Sequence, residues 1–100
     1  MKQVEFYIKT IQVNGLNINR VVIDDHYKEK HSDHINDELI LNLVNQLDGR
    51  KELPESESGD YSYYATLIEF EERQYRLVWL LEVDSIYIGV VNAYRDKRRS

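Results

Sequence analysis

All the histidine of the chain falls within His26-Tyr27-Lys28-Glu29-Lys30-His31-Ser32-Asp33-His34. Histidine is the side chain whose ordinary pKa lies near neutrality, so it can accept and return a proton under physiological conditions. Cleaving RNA without a metal needs a base to take the 2′-hydroxyl proton and an acid to protonate the leaving oxygen. It also needs cations to hold the charge that develops on the phosphate. His26 and His31 are the candidate base and acid, with Lys30 or Arg95 as the candidate phosphate partner. The plain alternative is a polar connector whose histidines lie on the surface or satisfy backbone groups.

Other chemistry is less well supported. His31 and His34 are spaced i, i+3, with Asp33 and Asp37 nearby, but zinc usually takes three or four protein ligands and no His-Glu-x-x-His is present. No metal and no cofactor are expected. The absence of cysteine removes disulfides, thiolate metal sites and a Cys nucleophile. No Gly-rich phosphate loop, G-x-S-x-G elbow or nucleotide fingerprint occurs. Eight tyrosines could stack on bases or anchor a protein interface. Tyr75 and Tyr87 lie inside strand runs, where tyrosine is ordinary; Tyr61, Tyr63 and Tyr64 sit beside an acidic segment. Arg76, on a strand, either pairs with Glu69 or Glu82 across a neighbour or faces a ligand.

Net charge is −5, with 42% hydrophobic and 31% charged residues in 100. That suits one globular domain and weighs against a general nucleic-acid binder, which is usually basic. Basic residues still gather at Lys28/Lys30, Arg50/Lys51 and the tail Arg95, Lys97, Arg98 and Arg99. No apolar run approaches the roughly 18 residues of a membrane helix. The opening Met1-Lys2-Gln3-Val4-Glu5 lacks a signal-peptide stretch. The expectation is a cytoplasmic protein without membrane contact.

The elements that must position these residues follow from the pattern. Val4, Phe6 and Ile8 alternate, Ile11 and Val13 continue on the other parity, and Asn14-Gly15 suits a type I′ turn. Leu16, Ile18, Val21 and Ile23 complete a hairpin whose parity changes signal a bulge or a switch of face. Asp24 or Asp25 can cap a short turn at His26. Asn36 caps a helix over 37–48, with Ile35 and Ile40 as a hydrophobic staple and Gly49 at its end. Residues 52–60, with Glu52, Glu55, Glu57 and Asp60, read as an acidic polar loop. Strands follow at about 61–70, 74–82 and 86–95, with Gly89 marking a close approach or bulge. A frayed basic tail covers 96–100. The expected fold is a single α+β domain in the order ββαβββ: an antiparallel sheet with the helix on one face.

That order, with His26, Lys30 and His31 before the helix, Arg76 on the middle meander strand and Tyr94-Arg95 ending the last, resembles the RelE/ParE and colicin-type tRNase group of small ribonuclease toxins. The resemblance spans roughly 16–95 and rests on element order. It implies metal-free RNA cleavage with His26, His31 and Arg95 as catalytic residues, and Lys30, Arg76 and Tyr94 on the substrate. Two features differ: such toxins are generally basic, and RelE types usually open with helix rather than a hairpin. The second reading is a non-catalytic acidic binding protein, antitoxin-like, immunity-like or regulatory, acting through Glu55 and Glu57. A protein partner or homodimer fits either reading.

Overall fold

A computed structural model of the chain describes residues 4–96. The elements are β1 (Val4–Val13), β2 (Leu16–Asp24), a 3-10 turn (Asp25–Glu29), α1 (Asp37–Asn45), β3 (Ser56–Ser58), β4 (Tyr61–Phe70), β5 (Arg73–Glu82) and β6 (Tyr87–Arg95). They form one six-stranded sheet in the order β1-β2-β6-β5-β4-β3. No helix among the described residues is long and apolar enough to cross a membrane.

The first hairpin forms as its sequence dictates. Asn14 and Gly15 both take positive φ, 53° and 75°, between the paired Val13 and Leu16. These are the two left-handed positions of a type I′ turn, whose twist matches that of the strands. The parity change in β1 is a bulge: the register slips between Ile8 and Ile11, so Lys9 and Thr10 oppose the single Asn19 of β2, which carries no extra residue. On both sides of it residues enter the core: Ile11, Val13 and Ile18 toward the turn, Val21 and Ile23 away from it.

Helix α1 starts where the cap residue allows. Asn36 accepts the Leu39 amide at 2.8 Å, and Asp37 and Glu38 put negative charge at the positive helix end. Ile40, Leu43 and Val44 are fully buried, as is Leu47 just beyond. They cover one face of the sheet over Val21, Ile23, Ile68, Leu77, Trp79, Ile88 and Val90, all part of one core. Each such side chain contributes about 1.5–3 kcal/mol by leaving water. The helix ends at Asn45, three residues earlier than its apolar spacing suggests. From Gln46 the amides reach back only three residues, to Leu43, Val44 and Asn45, so the end tightens into turns. Gly49, at φ 82°, then gives its amide to Gln12 at 2.6 Å and ties the helix end to β1.

Three expectations are corrected. The sheet is mixed: β2 and β6 pair in parallel, with Val21 opposite Ile88 and Ile23 opposite Val90. The meander β4-β5-β6 joins the hairpin through its last strand, and the intervening helix supplies the long crossover that parallel neighbours need. The acidic segment is not all loop, because Ser56–Ser58 pairs with Tyr61–Tyr63 as a short exposed edge strand; the order is ββαββββ. The tail is not frayed at Asp96, which is buried and paired with Arg76; residues 97–100 lie outside the described residues. Gly89 marks a close approach, since a Cβ there would come within 2.9 Å of Leu80, while the bulge falls at Val91, between the pairs Val78–Asn92 and Trp79–Val90.

Candidate functional site

The histidine segment is held from both sides. Asp24 caps the 3-10 turn by accepting the His26 amide at 2.8 Å. Tyr27 turns inward and is fully buried. Its hydroxyl donates to Asp37 Oδ1 at 2.5 Å, and Tyr7 donates to Oδ2 of the same carboxylate at 2.8 Å. Burial first, then the Asp37 carboxylate, pushes the Tyr27 hydroxyl pKa far above its ordinary value. Asp37 lies in the first turn of α1, so one carboxylate pins the helix start to β1 and to the 3-10 turn. The His31 amide donates to the Tyr27 carbonyl at 2.7 Å, and the Ile35 amide to the His31 carbonyl at 2.9 Å. These bonds carry His31 to the end of β6.

There His31 meets Tyr94, with ring centroids 5.5 Å apart and planes tilted by 31°. Tyr94 stands opposite Arg76 in the β5–β6 register, on the sheet face away from α1. Arg76 donates to Asp96 Oδ2 from Nη2 at 2.9 Å and from Nε at 3.3 Å. Its partner is thus Asp96, not Glu69 or Glu82. Glu69 faces Gln74, and Glu82 accepts from Tyr87 at 3.0 Å and from Ser85 at 3.4 Å.

The remaining candidates are dispersed. His26 Nδ1 lies 3.1 Å from Glu29 Oε2 but outside hydrogen-bond geometry, with the nitrogen shielded from solvent. Lys30 is exposed. Arg95 alternates with Tyr94, so it extends from the opposite face, level with buried Tyr75. Its Nε is buried and has no hydrogen-bond partner among the described residues. The structure therefore unites His31, Tyr94 and Arg76 and sets Arg95 behind them. No group of three or more His, Asp or Glu that could hold a metal is found among the described residues.

Two tyrosine assignments also change. Tyr64 is buried and stacks on Trp79 at 4.0 Å, so it belongs to the core. Tyr87 joins Tyr61 and Tyr63 around a groove on the open sheet face. Single-strand patterning hides that grouping, because the three residues come from β4 and β6 with β5 between them. Asp37 was legible only as a helix-start charge, since nothing local reveals two distant tyrosines converging on it.

Comparison with known proteins finds no matching family model, no matching curated protein and no matching solved structure.

Proposed function

We propose that the protein is a small metal-free ribonuclease of toxin type, with its site at the His31–Tyr94 end of β6. The observation that carries the reading is the 5.5 Å approach of the His31 and Tyr94 rings, with Arg76 opposite Tyr94 in the β5–β6 register. In this reaction His31 takes the proton of an RNA 2′-hydroxyl. The 2′ oxygen attacks the adjacent phosphorus, and the bond to the 5′ oxygen breaks. His26, as imidazolium, gives its proton to that oxygen, leaving a 2′,3′-cyclic phosphate and a 5′-hydroxyl. On this reading Arg95 has to reach round the strand end to stabilise the phosphorane charge, Tyr94 supports the ribose or base, and Lys30 and Arg76 attract the backbone. Since Asp96 already engages Arg76, its contribution to phosphate binding is the weakest of the set.

The test is cleavage of a mixed tRNA and mRNA pool in EDTA by the wild type, His26→Ala, His31→Ala and Arg95→Ala. Removing a general acid or base should lower the rate about 100-fold or more. Folded wild type that leaves RNA intact would end the ribonuclease reading.

The second reading, an acidic binding protein, draws on one observation: Glu55, Ser56, Glu57 and Ser58 run exposed along the β3 edge, anchored by the Glu55 amide on Tyr63. Complementary charge at such an edge speeds encounter with a basic partner. Reversing Glu55 and Glu57 to Lys should then weaken the complex and slow its association, and unchanged binding would count against it.

A further inference from the structure

The face of the sheet away from α1 carries a groove of about 260 Å³. Its floor is Leu80 and Gly89, neighbours in register, with the Leu80 side chain packed over the bare Gly89 backbone. Tyr61 and Tyr63 form one wall, with ring centroids 6.3 Å apart and planes 40° apart. Tyr87 closes an end, held by its hydrogen bond to Glu82. Asp24 is the one charged residue lining the groove. One oxygen of that carboxylate accepts the His26 amide, and the other has no hydrogen bond to a described residue.

Aromatic faces beside a carboxylate suit a particular ligand. Tyrosine faces attract cations, most of all the flat, weakly hydrated guanidinium, which can stack on a ring while its edge donates to a carboxylate. A phosphate or another acid would meet the Asp24 carboxylate in a chain of net charge −5. Arg20 stands opposite Tyr87 in the β2–β6 register but does not line the groove, so Asp24 is the charge a ligand there would meet. The walls are shallow and open, which favours a side chain presented by a polypeptide over a small molecule that needs enclosure.

We propose that this groove binds the guanidinium of an arginine side chain presented by a basic polypeptide partner, stacked against Tyr61 and Tyr63 and paired with Asp24. None of His31, Tyr94 and Arg76 lines this groove, and the proposal does not rest on the ribonuclease reading.

The test is an amide NMR titration of the full chain with a short Gly/Ser peptide carrying one arginine. Two further peptides replace it with lysine or with citrulline, the neutral isostere. The arginine peptide should saturably shift the Val22, Gly89 and Val91 amides, lysine should bind more weakly, and citrulline should do nothing. Asp24→Asn, which keeps the turn cap, and Tyr63→Leu, which keeps an apolar side chain, should each weaken binding about tenfold, as expected for losing a charge-assisted bond or a ring face. The spectra themselves report whether each variant is folded. Equal shifts from citrulline or lysine, shifts confined to 52–60, or stronger shifts of the groove amides by a uridine tetranucleotide would each overturn the proposal. So would no saturation by about 10 mM peptide, since that is weaker than one buried ion pair and ring contact should give.

Discussion

Trp79 donates its indole N–H to the Thr66 hydroxyl at 2.9 Å, and neither side chain is more than 5% exposed. Thr66 in turn donates to Glu52 Oε1 at 2.9 Å. The Glu52 amide reaches Asn14 Oδ1 at 2.6 Å, Asn14 Nδ2 reaches the Tyr64 hydroxyl at 3.1 Å, and Tyr64 stacks on Trp79. The ring of contacts closes through the core, the connector after α1 and the first hairpin turn. Thr66→Val keeps the shape but leaves the indole N–H buried without an acceptor, at a cost of about 2–3 kcal/mol. Thr66→Ser keeps the hydroxyl and should lose only about 1 kcal/mol for the methyl. Urea unfolding of the two variants separates hydrogen bonding from packing.

Asp37 offers a second check. Asp37→Ala removes the acceptor of the buried Tyr27 hydroxyl and a charge at the helix start, and should destabilise by about 2–3 kcal/mol. In Tyr27→Phe the same acceptor loses only one of its two tyrosine donors, so the loss should be nearer 1 kcal/mol. A double-mutant cycle on the pair should then show coupling of about 1 kcal/mol or more. Additive losses would mean that the 2.5 Å bond adds little.

The β4–β5 turn carries strain that can be relieved. Glu71 and Glu72 both take positive φ, 51° and 67°, between the paired Phe70 and Arg73. Left-handed backbone costs a side-chain-bearing residue about 1 kcal/mol or more, and Asn-Gly accepts it readily. Glu71→Asn with Glu72→Gly should stabilise the protein by about 1–2 kcal/mol and raise Tm by roughly 4–8 °C per kcal/mol. Calorimetry showing no rise would place the strain elsewhere.

Alkaline stability should depend on Tyr87. Burial, and then the hydrogen bond to Glu82, push its hydroxyl up to about 12 from the ordinary 10. The folded state therefore holds this proton more tightly than the unfolded chain. The resulting stability is complete below about pH 10 and fades as pH rises through about 12. Tyr27, shifted in the same direction, adds to the fall. Tyr87→Phe should flatten the decline in urea midpoint between pH 10 and 12 relative to wild type, leaving the part due to Tyr27.

Local elements were legible in the sequence because local rules govern them. Asn14-Gly15 fixes a turn, Asn36 caps a helix, Asp24 or Asp25 starts the turn at His26, and alternation from Tyr75 to Leu81 marks a strand. The placement of strands in the sheet obeys no such rule. Nothing in Tyr87–Arg95 states that its second neighbour is β2, and nothing in Ser56–Ser58 marks an edge strand. Side-chain partners follow from that placement. The approach of His31 to Tyr94 follows from the 3-10 turn packing beside the end of β6, and Asp96 as the partner of Arg76 likewise depends on where β6 stops.

The parallel seam between β2 and β6 has a consequence for how the protein is made. On the ribosome the first hairpin emerges early, yet the edge it offers at Val21 and Ile23 has no partner until Ile88 and Val90 have been synthesised. The closing step joins residues 67 positions apart (21 to 88), and such distant contacts slow folding. Until then the nascent hairpin exposes an apolar edge to its surroundings. A transcript truncated before codon 87 should therefore yield a polypeptide that aggregates or is degraded, rather than a smaller folded protein.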